Sequence, residues 1–299
     1  MTDARESRDA RALDHVVLPF ASLDEARGLL SGLGFTVAPD AVHPFGTGNA
    51  CVFFADETYL EPLAIADPAA YEAAKSAGNI FVARGAGFRS RHGLPSISAI
   101  AFRSADALGD RTALAQKRLA EAELVEFSRS FRTPDGEDAS VSFRLAFACV
   151  ESDSHVHFFF CQPLHAKAPD RSALTRHPNG VSGLVRIVLS DCPPDKSREL
   201  LATVSDARAD KGRHGGLRCE LANTTLDVLS DASMVEDYGV EQNGPHGLSV
   251  RGIVLSVADM AATRACLAAG GCSANMIGGR LVVPFGADGS FIAFEESPA

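Results

Sequence analysis

Nowhere in the 299 residues do about 18 apolar residues run together, so no segment reads as a membrane-spanning helix. The opening stretch, Met1 to Ala12, is polar and mixed in charge and lacks the apolar centre of a secretory signal. No C-x-x-C pair occurs among seven scattered cysteines, an odd number. That argues against a disulfide frame or a zinc knuckle and for reduced thiols in a cytoplasmic protein. No Lys/Arg cluster offsets a net charge of −10, which disfavours nucleic acid and anionic membrane as partners. A nucleophile-elbow motif is missing, and Gly85, Gly87 and Gly93 lack the strand-to-helix setting of a phosphate loop.

What is present is a fourfold internal repeat, and a repeat fixes architecture before any local motif does. Its first copy runs from the strand Leu13-Asp14-His15-Val16-Val17-Leu18 into a helix over Ser22–Leu30 that ends at Gly32-Leu33-Gly34. Further strands follow, the last being Tyr59-Leu60-Glu61-Pro62-Leu63. The second opens at Ile97–Arg103, predicts a helix from about Asp106 to Val125, turns at Thr133-Pro134-Asp135-Gly136, and closes on His157–Leu164. The third opens at Gly183–Leu189, with a helix near Asp195–Val204 and a last strand at Thr224–Leu229. The fourth opens at Val250–Leu255. Its helix starts at Asp259 and stops at Gly270-Gly271, a glycine C-cap, and its last strand is Phe291–Glu295.

A unit of one helix and a mostly antiparallel sheet cannot bury both faces of the sheet alone, so units must pair. The expected fold is therefore α+β: four βαβββ modules forming two curved half-barrels. The N-terminal domain is placed at 13–166 (modules 13–66 and 97–166), the linker at 167–180, and the C-terminal domain at 181–296 (modules 181–230 and 248–296). The Gly-containing, locally basic stretch Asp67 to Pro95 reads as a flap over a cavity or a poorly ordered excursion. Such a chain closes both bowls within itself and is expected as a monomer or a homodimer.

The stretches Asp14-His15-Val16-Val17-Leu18, His43-Pro44-Phe45-Gly46-Thr47-Gly48-Asn49, Tyr59-Leu60-Glu61, Pro134-Asp135-Gly136, Phe160-Cys161-Gln162 and His177-Pro178-Asn179-Gly180 resemble the glyoxalase-like domain of the vicinal oxygen chelate superfamily. The resemblance implies paired βαβββ modules with a site inside each curved sheet. Members include isomerases, dioxygenases, thiol transferases and metal-free drug-binding proteins, so it does not select a reaction. It also implies that any metal would take ligands from the first and last strands of two paired modules. In the first bowl those positions are His15, Glu61, Ile97 or Ser98, and Gln162, with a divalent ion (Zn, Ni, Mn or Fe) held by His15, Glu61 and Gln162. In the second bowl they are Arg186, Asp227, Gly252 and Glu295, which resemble a salt-bridge set.

Two readings of the first bowl stay open: a metal centre, or His15 and Glu61 hydrogen-bonded to each other or to a ligand. The candidate catalytic residues are Glu61, His15 and His43, the last either an acid or base at an entrance or a structural loop histidine. Phe45, Phe53, Tyr59, Phe143 and Phe160 would give an apolar wall for a small organic ligand. Arg144 either points at an anionic ligand or lies on the solvated face. His155 and His157 read as exposed or ordinary hydrogen-bonding residues, and His177–Gly180 as a tight turn. The expected function is an enzyme on a small oxygenated molecule, or else a metal-free binding protein of the bleomycin-resistance type.

Overall fold

In the first module, strand β1 (Leu13–Pro19) leads to helix α1 (Leu23–Gly32), then to β2 (Ala41–Val42), β3 (Thr47–Asn49), β4 (Val52–Phe53) and β5 (Tyr59–Ile65). Helices α2 (Pro68–Ser76) and α3 (Ile80–Arg89) precede the second module, which comprises β6 (Ala99–Arg103), α4 (Ala107–Gln116), β7 (Val125–Arg132), β8 (Asp138–Phe147) and β9 (His157–Pro163). The third module holds β10 (Val181–Ser190), α5 (Arg198–Ser205), β11 (Ala209–Lys211), β12 (Leu217–Glu220) and β13 (Thr225–Leu229). After α6 (Asp231–Tyr238), the fourth holds β14 (Ser249–Val257), α7 (Met260–Ala269), β15 (Asn275–Ile277), β16 (Arg280–Pro284) and β17 (Phe291–Glu296). The computed structural model describes residues 9–132, 138–150, 154–164, 170–241, 247–286 and 288–297. The expected turn at Pro134-Asp135-Gly136 and the linker residues 165–169 lie outside them.

The strands form two sheets, ordered β2-β3-β5-β1-β6-β9-β8-β7, with β4 paired to β5, and β11-β12-β13-β10-β14-β17-β16-β15. Within a module the first and last strands run parallel (β1 with β5, β6 with β9); the two modules join through the antiparallel pair β1–β6. The second sheet repeats this with β10, β13, β14 and β17. Contacts between Phe127 on β7 and both His43 and Phe45 beyond β2, at ring separations of 5.2 Å, draw the edges of the first sheet towards each other.

Both faces of each sheet are buried. Alternate residues (Val16, Leu18, Leu60, Ile100, Phe158, Phe160) enter a core that continues through the helices into the second sheet's Leu184, Ile187, Ile253 and Phe294. The other set (Val17, Leu63, Ala99, Ala101, Phe159, Cys161) lines the inside of the first bowl, as the two-residue strand period demands. The stretch read as a flap or poorly ordered excursion is α2 and α3, which place Tyr71 and Val82 against that inner set. Asp67 caps α2 through Ala69 N and Ala70 N, both at 3.0 Å, and Asn79 caps α3. Gly85 and Gly87 sit in α3 with open space around their α-carbons, so they cost helix propensity without breaking the helix. Helix α4 is shorter than its sequence pattern suggested, because Arg118 turns left-handed at φ 59° just past its end. Helix α6, not anticipated, packs Met234 and Tyr238 inside the second bowl.

The two halves are stapled at the His177–Gly180 turn. Gly180 N donates to His177 O at 2.9 Å, buried Asn179 donates to Leu33 O at 2.9 Å, and Thr263 of α7 donates to Asn179 O at 2.8 Å. Nearby, the ends of α1 and α7 meet so closely that a β-carbon on Gly270 would lie 1.8 Å from the Gly32 carbonyl oxygen. Gly270→Ala therefore must push the half-barrels apart locally and should lower stability by about 1–3 kcal/mol. Urea denaturation checks this; a midpoint equal to wild type would show that the contact is not tight.

Candidate active site in the first bowl

The first bowl holds a small cavity of about 40 Å³ that opens to solvent. Its floor carries His15, His43, Asn49 and Glu61, and its walls Phe53, Tyr59, Phe81, Phe127, Phe143 and Phe159. A register irregularity between Leu13 and His15 on β1 lets two consecutive side chains meet: His15 Nδ1 lies 2.7 Å from Asp14 Oδ2. His15 Nε2 lies 3.5 Å from Glu61 Oε2 on the neighbouring strand β5. That gap exceeds the roughly 2.7–2.9 Å of a tight charge-assisted bond, so both groups keep capacity for a third atom. Tyr59 stacks on the imidazole at 4.4 Å, and Phe159 meets its edge at 5.4 Å.

His43 is held by a turn in which Gly46 adopts φ 85° and packs against the start of α2, where any β-carbon would strike Tyr71 N at 2.3 Å. Asn49 Nδ2 donates to Glu61 Oε1 at 2.7 Å and lies 3.4 Å from His43 Nε2. An amide N–H faces that nitrogen, so Nε2 carries the lone pair and Nδ1 the proton, which is given to Thr47 Oγ1 at 2.8 Å. Burial pushes the His43 pKa down to about 4, against the opposing pull of Glu61, and leaves the ring neutral. Burial acts against charge on His15 too, but its hydrogen bonds to Asp14 and Glu61 and their negative charges outweigh it and raise the pKa to about 9. Burial likewise opposes ionisation of Glu61; the contact and charge of His15, with His43 and Asn49, hold it well below the ordinary carboxylate range. The floor is therefore an imidazolium–carboxylate pair beside a neutral imidazole.

Sequence reasoning brought His15, His43 and Glu61 together, but not Gln162. Gln162 points to the opposite face of β9 and caps α4: its Oε1 accepts from Ala107 N at 3.1 Å and its Nε2 donates to Ala105 O at 2.7 Å. The inward neighbour is Cys161. Ile97 and Ser98 are likewise superseded. Val16 stands opposite Ile100, so the module two-fold equates His15 with Ala99. It equates Glu61, beside Val17, with Phe159, beside Ala101. Phe160 faces the core between the sheets, and Phe159 takes its place on the wall. Arg144 bonds exposed Glu126 at 2.6 Å on the outer side; the inward arginine of that hairpin is Arg129, on the β7 alternation Val125, Phe127, Arg129. Asn49 and Arg171 also border the cavity without having been singled out. His157 is buried, with Nδ1 3.3 Å from Arg84, while His155 Nδ1 lies 3.0 Å from His92 Nε2.

The donor set does not fit the metal centre implied by resemblance. His15 Nε2 and His43 Nε2 approach different oxygens of Glu61, at 3.5 and 3.9 Å, the equivalent positions of the second module are apolar, and the Asn49 amide donates into the gap between Glu61 and His43. Among the described residues no group of three or more His, Cys, Asp or Glu side chains is disposed around a metal position. In the second bowl Arg186 lies 3.2 Å from Asp227 and 3.1 Å from Glu295, Arg218 grips Asp227 through two bonds, and Arg280 holds Glu295 at 2.8 Å. Gly252 leaves room there for the Phe291 ring, which stacks on Tyr238.

Paired βαβββ modules curled round an internal polar floor are the architecture of the vicinal oxygen chelate superfamily. The chain belongs to the glyoxalase-like domain family, whose model matches residues 13–205. Among solved structures, a hypothetical protein from Staphylococcus aureus aligns with TM-score 0.65 at 12% identity, over 96% of this chain and 99% of that one. A mutant 4-hydroxymandelate synthase from Streptomyces coelicolor aligns with TM-score 0.60 at 15% identity, over 97% and 93%. A xylose isomerase-like TIM barrel/4-hydroxyphenylpyruvate dioxygenase fusion protein aligns with TM-score 0.54 at 12% identity, over 98% of this chain and 49% of that one. At these identities the likeness is one of fold. No curated protein matches the sequence.

The charge pair makes stability depend on pH. His15 has its pKa raised from 6.5 to about 9, so its contribution is complete below pH 6.5 and is lost as pH rises through about 9. Glu61, whose pKa is lowered, contributes above its ordinary 4.5 and loses that contribution as pH falls towards its folded value. His43 and His157, pushed down to about 4 and about 3, act below 6.5. Between pH 6.5 and 9 the urea midpoint should fall in wild type and fall less in His15→Gln. Parallel curves for the two proteins would place the imidazolium elsewhere.

Proposed function

We propose that the chain is an enzyme acting on a small oxygenated organic molecule in the first bowl, by proton transfer at a carbon next to a carbonyl. The observation that carries this reading is the buried, incompletely closed pair of His15 and Glu61, 3.5 Å apart and facing an aromatic cavity. Buried ion pairs are costly and gather at functional sites. A carbonyl compound seated on the floor would receive the His15 Nε2–H on its oxygen while Glu61 accepts the proton from carbon. The N–H of the imidazolium stabilises the enolate oxygen where charge develops. Asp14 holds the imidazole by Nδ1, and Asn49 orients Glu61. His43 offers a second acceptor nitrogen. No step requires a metal.

A metal-free binding protein is the second reading, favoured by the depressed pKa of Glu61, which makes the carboxylate a weak base. Deuterium exchange separates the two. Small aldehydes and ketones with an acidic C–H, incubated with the protein in D₂O and followed by proton NMR, should exchange at that carbon. Glu61→Gln should slow exchange by about 10²-fold or more, and chelator should leave it unchanged. Absence of exchange across the panel would favour the binder. Loss on chelation with recovery on adding Zn²⁺, Ni²⁺, Mn²⁺ or anaerobic Fe²⁺ would contradict the metal-free assignment.

A further inference from the structure

Most partly buried arginines of the chain are matched to carboxylates. Arg84 pairs with Glu121, Arg186 with Asp227 and Glu295, and Arg280 with Glu295. The two arginines lining the first bowl are different. Arg129 projects inward from β7, and Arg171 comes from the connection between the half-barrels. Among the described residues neither is ion-paired. Arg171 instead lies flat over aromatic walls, its guanidinium carbon 4.0 Å from the Phe53 ring centre and 5.8 Å from that of Tyr59. Stacking of this kind fixes the plane of the guanidinium while leaving its N–H edge unused.

Charge counting gives the cavity a sign. On the floor, His15 and Glu61 cancel. Asp14 lies behind His15 and is shared with Arg103 at 3.7 Å. Arg129 and Arg171 then leave the lining positive, in a protein whose net charge is −10. A low-dielectric cleft lined by one sign concentrates ligands of the opposite sign. The forked guanidinium edge matches a carboxylate, and the aromatic walls suit a flat apolar body.

We infer that the ligand of the first bowl is a small carboxylate with an aromatic or otherwise flat apolar body, its anionic end held by Arg129 and Arg171. The inference deepens the proposed function by naming the ligand class of the same site, but anion binding does not depend on proton transfer there. The arginines set which molecule enters, and the floor acts on the part that reaches it. A neutral isostere loses the arginine contacts and keeps only the apolar ones.

Titration calorimetry with the whole chain at low ionic strength tests this, using benzoate against benzamide and 2-naphthoate against 2-naphthamide. In wild type each acid should bind at least roughly tenfold more tightly than its amide, the scale of hydrogen bonds to a charged group. The preference should shrink as salt is raised. Arg129→Gln and Arg171→Gln should each reduce it, and the double variant should abolish it while amide affinity stays within about twofold; circular dichroism shows whether the variants are folded. An acid preference with no carbon exchange in wild type would sink the proton-transfer reading and leave this one standing. Equal binding of acid and amide by wild type, or no saturable binding of either acid, overturns the inference whatever the variants do.

Discussion

The antiparallel pairing of β1 with β6, repeated by β10 with β14, is the contact on which the rest of the structure depends. It joins two modules that could not cover their sheets separately, and it sets which side chains face inward. Because strand side chains alternate, one choice of face places Val16, Leu18, Ile100 and Phe102 in the shared core. It also places His15, Val17, Ala99 and Ala101 inside the bowl. Once that parity is set, Glu61 beside Val17 must also point inward. The charged floor is thus a consequence of pairing register, and a slip of one residue would exchange it with the core.

The floor tolerates charge because its groups satisfy one another. His15 is held between two carboxylates, and Glu61 takes the His15 contact on one oxygen and the Asn49 amide on the other. Removing one member strands its partner in an apolar cavity, a larger penalty than the pair's own net worth. The second bowl meets the same requirement differently. Its arginines and carboxylates bind each other, and the rings of Phe291 and Tyr238 fill its inner face. One fold therefore carries two unlike interiors, and among the described residues only the first combines an incompletely closed histidine–carboxylate pair with aromatic walls and two arginines not ion-paired.

Much of this was legible in the sequence. The fourfold repeat announced the modules, Asp259 and Gly270-Gly271 marked both ends of α7, and His15 and Glu61 stood on the first and last strands of one module, which pair side by side. Parity at the end of a strand was harder. Gln162 and Cys161 differ by one position, and only the pairing of β9 with β6 decides which looks inward. The same difficulty exchanged Phe160 for Phe159. Helix α3 was obscured by Gly85 and Gly87, at positions with open space around them, where a helix merely loses propensity. Arg171 had no local signal at all: it reaches the site from a connection whose path is set by tertiary packing.

The central claim is that His15 is an imidazolium at neutral pH, paired with an ionised Glu61 inside the bowl. Nitrogen NMR of protein labelled in its histidine rings tests it most directly, with His15→Gln used to assign the signal. The account predicts that at pH 7.5 both ring nitrogens of His15 are protonated and titrate only as the pH approaches about 9. A lone-pair nitrogen on His15 at pH 7.5 in the unliganded protein would contradict it.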